Sequence, residues 1–139
     1  MHHVGIIGTG SYVPERVLTN YDLEKMVETS DKWILERTGI RERRIAAGEE
    51  TNVTMGRLAL ERAVENARID LAEVEMLVVG TNTTDPIWPS AAGHIAQLLN
   101  LRKNIPFFDL QAGCTGFNYS LAVAEQFVKE KREKHKGTQ

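Results

Sequence analysis

The residue in this sequence with the clearest chemical potential is its one cysteine, Cys114. A thiolate is favoured where a strand leads into the N-terminus of a helix, because unpaired N–H groups and the helix dipole stabilise negative charge there. The sequence predicts such a junction, with an apolar strand before Cys114 and an amphipathic helix after it. Gly113 and Gly116 permit a sharp turn and a close approach of substrate, whose oxyanion the same N–H groups could hold.

A second interpretation of Cys114 stays open, because a free cysteine commonly fills a core as a small hydrophobe. A single cysteine excludes an internal disulfide. His2, His3 and His135 have no Cys or acidic partner at metal-ligand spacing, so no metal site is expected. His94 is expected to be structural or interfacial.

The elements that must position Cys114 follow an alternating order of strands and helices. Apolar runs predict buried strands over 4–8, 75–81 and 105–110. Caps and helical spacing predict five helices: one after Thr19 and Asn20, one from Ser30 to Gly39, one from Thr51 or Thr54 to Ala67, one from Ser90 to Leu99 and one from Phe117 to about Arg132. This order indicates an α/β fold with a mainly parallel sheet flanked by helices.

Length and composition describe one ordinary globular domain of 139 residues, 42% of them hydrophobic. The net charge of -2 gives no basic field for nucleic acid, and no apolar run approaches the roughly 18 residues of a membrane span. With no signal sequence evident, a cytoplasmic location is expected. We divide the chain into a domain over 1–128 and a charged polar tail over 129–139. The charged stretch 41–44 is interpreted as a solvated loop or edge segment, with a basic binding stripe as the alternative.

Four segments resemble β-ketoacyl-[acyl-carrier-protein] synthase III, the condensing enzyme that begins bacterial fatty acid synthesis. They are 8–14 (GTGSYVP), 29–43 (TSDKWILERTGIRER), 88–92 (WPSAA) and 109–117 (DLQAGCTGF). The resemblance runs in register from about residue 4 to about Lys129. It implies a thiolase-like fold, in which two similar α/β halves pack together. This chain is similar to the first half only, so we expect it to be truncated before its sheet is completed.

The resemblance also implies an acyltransferase reaction of lipid metabolism. In the family, the cysteine matching Cys114 takes the acyl group of an acyl-CoA as a thioester, and a malonyl group on acyl carrier protein then loses CO2 and attacks it. Coenzyme A is a substrate, and no further cofactor is implied. The family's catalytic His and Asn belong to the second half. We therefore expect the isolated chain to be inactive or limited to self-acylation.

Four further residues match binding positions of the family. Thr29, Trp33 and Arg37 match residues that bind coenzyme A, whereas Trp88 matches an aromatic that reaches across a dimer interface to the partner's acyl pocket. Each has a plainer interpretation. Trp33 could be a core residue, Arg37 a favourable charge at a helix C-terminus, Thr29 a cap and Trp88 a loop aromatic packed on its own domain.

Two other functions remain open beside the synthase. The chain could be a non-catalytic truncated paralogue that binds coenzyme A or a full-length partner, or it could belong to another thiolase-like condensing enzyme. Without the family's later strands, the first strand over 4–8 would be an exposed apolar edge. We therefore expect a homodimer, other self-association or reliance on a partner chain.

Overall fold

The computed structural model describes residues 4–84 and 87–136. In chain order its helices and strands are β1 (Val17–Thr19), α1 (Asn20–Glu24), α2 (Asp31–Thr38), β2 (Glu42–Arg44), α3 (Asn52–Ala67), β3 (Leu77–Gly80), α4 (Ala91–Leu98), β4 (Phe107–Leu110) and α5 (Gly116–Lys136), with single 3₁₀ turns at Leu71–Glu73 and Gly113–Thr115. The chain forms two compact units. Residues Tyr12–Thr51 form the inserted unit, and the described residues before and after them form the main unit.

The main unit is built on two parallel strands. β3 and β4 pair in register from Leu77 opposite Phe107 to Gly80 opposite Leu110. Helices α4 and α5 pack on these strands, and α3 packs on α4. The buried apolar cluster is contributed by α3, α4, strand β3 and the connection from α4 to β4: Val53, Leu77, Ala91, Ala92, Ile95, Ala96, Leu99, Leu101 and Ile105. The two later predicted strands and their parallel pairing are thus confirmed.

The predicted first strand over 4–8 is wrong, because this segment has no strand partner among the described residues. It lies along α3 instead. A Cβ on Gly8 would come within 2.7 Å of the Ala63 carbonyl oxygen, and the Thr9 N–H donates to Asn66 Oδ1 at 3.0 Å. Its apolar residues remain exposed, with Ile7 72% accessible. Apolar content alone was therefore not enough to predict a strand here, because a strand also requires a neighbouring strand for its hydrogen bonds.

The inserted unit combines a short antiparallel pair with two capped helices. β1 pairs with β2, with Val17 opposite Arg44 and Thr19 opposite Glu42. The predicted N-caps are confirmed: the Thr19 side chain accepts from the Asp22 N–H, and Ser30 Oγ accepts from the Trp33 N–H at 3.1 Å. The sequence did not predict β1, whereas the edge-segment interpretation of 41–44 is confirmed by β2.

Helix α5 is longer than predicted and runs through the proposed boundary between 128 and 129 to Lys136. An i,i+4 ion pair between Glu125 and Lys129, at 2.7 Å, supports it there, and Lys131 pairs with Glu75. The division of the chain at this boundary stays a prediction.

Within the described ranges, no helix is both long enough and apolar enough to cross a membrane.

Candidate functional site

Cys114 lies where the sequence predicts, between the end of β4 and the start of α5. It occupies the centre of the 3₁₀ turn Gly113–Thr115, and its thiol is free and exposed. The interpretation of Cys114 as a buried packing residue is therefore wrong. An exposed sulfur two residues before a 21-residue helix can meet a substrate and lies close to the positive end of the helix dipole.

The turn that carries the thiol needs glycine at Gly113, whose φ of 55° lies in the left-handed region. Its N–H donates to Asn82 Oδ1 at 3.4 Å. The Thr115 N–H donates to Ala112 O at 3.2 Å, and the Gly116 N–H donates to Gly113 O. These three N–H groups are engaged within the protein, so an oxyanion could use them only after the turn rearranges.

A close contact between β3 and α5 fixes where the helix begins. A Cβ on Gly80 would come 3.1 Å from the carbonyl carbon of Gly116 and 3.1 Å from Ser120 Oγ. A side chain at position 80 would be crowded by the helix backbone, so glycine allows the strand end to approach the helix this closely without any shift. The pair Gly80 and Gly116 therefore places the first turn of α5, and Cys114 with it, against the parallel strands.

Asp109 links the strand before Cys114 to α4. Its Oδ2 accepts from the Ala91 N–H at 2.7 Å and its Oδ1 from the Ala92 N–H at 2.8 Å, while Ser90 Oγ accepts from Gly93. A carboxylate at this position satisfies helix N–H groups and offsets the positive end of the dipole. Asp109 was part of the family motif in the sequence, but nothing in its spacing predicted this contact.

The residues matched to coenzyme A binding lie together in the inserted unit. The Arg37 guanidinium carbon lies 5.8 Å from the centroid of the Trp33 ring, one turn along α2. Trp33 is 56% exposed, so it is not a core residue. Beside it is an open pocket of about 280 Å³, lined by Glu28, Thr29, Ser30 and Trp33. The structure thus brings Thr29, Trp33 and Arg37 to one surface.

Helix caps hold this surface in place. α2 begins at the Ser30 cap and ends at Gly39, whose φ of 71° is the left-handed conformation predicted from the sequence. The Gly39 N–H donates to Leu35 O at 2.9 Å. Thr29 precedes the cap and does not itself cap α2, so that plainer interpretation of Thr29 is wrong for this helix.

Trp88 lies on the loop before α4 and is 83% exposed. It is therefore not packed on its own domain. The predicted loop over 85–89 falls partly outside the described residues, at 85 and 86.

Among the residues that the structure describes, no three His, Cys, Asp or Glu side chains come together as metal ligands would.

Comparison with known proteins supports the resemblance over most of the chain, although no protein-family model matches. The chain is 55% identical over 130 residues to the β-ketoacyl-[acyl-carrier-protein] synthase III of Salmonella paratyphi A, covering 94% of this chain and 41% of that protein. The 3-oxoacyl-[acyl-carrier-protein] synthase III structure of Aquifex aeolicus matches with a TM-score of 0.86 at 44% identity, over 91% of this chain and 40% of that one. The Thermus thermophilus β-ketoacyl-[acyl-carrier-protein] synthase III matches with a TM-score of 0.83 at 40% identity, over 92% and 39%.

These matches, with the parallel strands and the cysteine turn, define the class of the fold: it is a thiolase-like α/β fold, similar to part of the condensing enzymes that the chain resembles. More narrowly, the sequence matches β-ketoacyl-[acyl-carrier-protein] synthase III, of which it corresponds to the N-terminal part. The predicted resemblance and fold class are confirmed. The chain spans about 40% of the length of the relatives it matches.

Proposed function

We propose that this chain carries the acyl-transfer step of a β-ketoacyl-[acyl-carrier-protein] synthase III, an acyltransferase of bacterial fatty acid biosynthesis. The observation that carries the proposal is the exposed Cys114 thiol on a glycine-bounded turn, in a chain 55% identical to such a synthase over 130 residues. A nucleophilic cysteine needs both access to substrate and stabilisation of its thiolate. Its exposure provides the first, and the N-terminus of α5 favours the second.

In the proposed step, the Cys114 thiolate attacks the thioester carbonyl of an acyl-CoA. The bond between the carbonyl carbon and the coenzyme A sulfur breaks, coenzyme A leaves as its thiolate and takes up a proton, and the acyl group remains on Cys114. The second half-reaction is attack on this thioester by the carbanion formed when malonyl-[acyl-carrier-protein] loses CO2. For that step the family uses a His and an Asn of its second half, so we assign only self-acylation to the chain alone.

We further propose that Thr29, Trp33 and Arg37 bind the coenzyme A portion of the substrate. The Trp33 face can stack on the adenine ring, Arg37 can stack or donate to phosphate, and Thr29 can bond the base edge. Their common surface beside an open pocket supports this assignment. Coenzyme A enters and leaves as substrate and is not a resident cofactor.

Trp88 is proposed to act in a cytoplasmic homodimer, closing the acyl pocket of the partner chain. Its 83% exposure leaves the indole free to bury surface against a second copy. Analytical ultracentrifugation of the wild-type chain and Trp88→Ala tests this. We expect weaker self-association in the variant, and equal association constants would contradict the assignment.

Intact-mass measurement tests the acyl-transfer step. The purified chain is incubated with acetyl-CoA and compared with Cys114→Ser. Iodoacetamide labelling in parallel shows that the thiol is accessible in the folded wild-type chain. We expect a single acetyl adduct on the wild type, removed by neutral hydroxylamine as a thioester would be, and none on Cys114→Ser.

The other outcomes discriminate between the remaining functions. A labelled but unacetylated thiol that still binds coenzyme A would overturn acyl transfer and favour the non-catalytic paralogue. Acylation by longer acyl-CoA donors with none from acetyl-CoA would favour another thiolase-like condensing enzyme. Arg37→Ala should weaken coenzyme A binding, whereas the charge-matched control Lys103→Ala, on an exposed loop of the main unit, should not.

A further inference from the structure

Asn20 is the most completely buried large side chain among the described residues, with 0% of its surface exposed. Its amide nitrogen donates to Asp31 Oδ1 at 2.9 Å and to Ile40 O at 2.8 Å, while its amide oxygen accepts from Arg43 Nη2 at 2.8 Å. Its backbone N–H donates to Arg41 O at 3.1 Å. Both amide hydrogens are therefore used, and a buried side chain so bonded is held in one orientation.

The partners of Asn20 bracket α2. Asp31 is the first residue of that helix, and Ile40 follows the Gly39 cap that ends it. The third partner, Arg43, belongs to β2 and also donates to Leu18 O of β1 at 3.2 Å. One amide thus ties both ends of α2 to the antiparallel strand pair.

Apolar packing offers α2 little other support. Ile34 is the only buried apolar residue that the structure describes in this helix, and Trp33 on the outer surface is 56% exposed. The position of α2 therefore depends on its polar contacts to an unusual degree. Since Trp33 and Arg37 are carried by α2, a shift of the helix moves both of them together.

We propose that Asn20 is a positioning residue for coenzyme A binding: through Asp31 and Ile40 it sets the placement of the Trp33 and Arg37 side chains. This role rests on the proposed function of those two residues. Displacements of about 1 Å at a binding surface are enough to weaken a fitted ligand by an order of magnitude or more. Asn20 acts through α2 and does not itself touch the ligand.

Asn20→Asp tests this with almost no change of shape. It replaces two N–H donors by a carboxylate oxygen that faces the Asp31 carboxylate and the Ile40 carbonyl, both acceptors, while keeping an acceptor for Arg43. We expect the Kd for coenzyme A, measured by titration calorimetry, to rise about tenfold. Adding Asp31→Asn restores a donor and an acceptor across the 20–31 pair and should recover part of the loss. Tyr21→Phe, on the exposed neighbouring residue, is the matched control and should bind as the wild type does.

Two measurements separate positioning from stability. Kd is determined at a temperature where circular dichroism shows each variant fully folded, and acrylamide quenching of Trp33 is recorded in a Trp88→Phe background. Positioning predicts a raised Kd and altered quenching in the folded variant. A lowered unfolding midpoint with unchanged Kd would overturn it. If Asn20→Asp does not fold, Asp31→Ala cuts one contact alone and must still raise Kd.

Failure of the proposed function gives a different result. If the wild-type chain does not bind coenzyme A, the assignment of Trp33 and Arg37 is lost, and the role of Asn20 is lost with it. If the wild type binds and Arg37→Ala weakens binding, but Asn20→Asp binds normally, only the positioning role is overturned.

Discussion

Each of the two units of this chain is stabilised internally by a different kind of interaction. The main unit has a contiguous cluster of buried apolar side chains drawn from α3, α4, strand β3 and the connection between α4 and β4. In the inserted unit, the described residues include only two buried apolar ones, Pro14 and Ile34, and the buried polar side chain is the amide Asn20. Hydrogen bonds from caps and side chains join its elements instead.

This difference has a chemical consequence for the proposed function. Apolar packing is non-directional and insensitive to pH, so it gives Cys114 a stable platform across conditions. A hydrogen-bonded unit depends on the geometry and ionisation of a few groups. We therefore expect single polar substitutions and acid to destabilise the surface that bears Trp33. The platform of the cysteine turn should instead be destabilised by substitutions that leave a cavity in the apolar cluster.

The largest effect is expected from Ile95→Ala in the apolar cluster. Ile95 is 2% exposed, and its Cδ1 would lie 2.8 Å from a Cβ on Gly56, so α3 and α4 meet closely at this side chain. Truncation leaves a cavity and should cost about 3 kcal/mol in the free energy of unfolding, measured by urea denaturation. Ile87→Ala, at a 96% exposed position, is the control. A loss below about 1 kcal/mol for Ile95→Ala would contradict the account of the main unit.

Asp109→Asn tests whether the stability of the main unit also depends on a polar contact, the one between Asp109 and the start of α4. The amide retains one acceptor for α4 but turns an NH2 group toward the second backbone N–H, and it removes the negative charge at the helix N-terminus. We expect a loss of about 2 kcal/mol. Hydrogen exchange should rise in α4 first. Asp70→Asn, at the cap of the single 3₁₀ turn Leu71–Glu73, should cost less because no long helix begins there, and equal losses would count against the importance of the Asp109 contact with α4.

The sequence predicted well wherever a local signal decides the structure. Ser30 and Gly39 bound α2 because a side-chain acceptor and a left-handed residue are local requirements of helix ends. The valine-rich run of β3 and the strand before Cys114 paired in parallel, as expected of strands with crossover helices. The placement of the candidate residues agrees with this: Cys114 lies at its predicted junction, and Thr29, Trp33 and Arg37 share one surface, while their roles stay predictions.

The sequence could not predict the features that depend on contacts between residues far apart in the chain. Residues 4–8 read as a strand, yet pairing requires a neighbour that the described structure does not place beside them. Asn20 looked like part of a helix cap, and only the return of the chain to Ile40 and Arg43 makes it a buried hub. The bond from Gly113 to Asn82 likewise joins residues 31 positions apart.

Acid should weaken the inserted unit through Asp22. Hydrogen bonds from the Thr19 side chain and backbone, and then from Lys25, lower the pKa of Asp22 from 3.8 to about 2. Because the folded value is the lower one, the contribution of ionised Asp22 is complete well above 3.8 and is lost as the pH falls toward 2. We expect the thermal midpoint of wild type to exceed that of Asp22→Asn at neutral pH, and the gap to close in acid.

The readout for that comparison is Trp33 fluorescence in a Trp88→Phe background, which places the reporter in the inserted unit. A hydrogen bond from the Ala47 N–H, and then one from the Tyr12 hydroxyl, also lower the pKa of Glu50, so both variants should lose some stability in acid. A gap between wild type and Asp22→Asn that stays constant down to pH 2 would show that ionisation of Asp22 does not support α1.

The smallest effect is expected from Ser120→Ala, which tests whether a buried polar residue contributes to the stability of the apolar main unit. Ser120 is a buried polar residue of the main unit, and its Oγ has no hydrogen-bond partner in the described part of the chain. Removing an unsatisfied hydroxyl relieves a desolvation cost and leaves little cavity, so stability should be unchanged or rise by up to about 1 kcal/mol. Ser90→Ala is the matched control, because Ser90 Oγ accepts from the Gly93 N–H and its loss should cost about 1 kcal/mol. If Ser120→Ala were the more destabilising of the two, a hidden polar contact would hold α5 against β3, and the contrast between an apolar main unit and a polar inserted unit would not extend to the helix that follows Cys114.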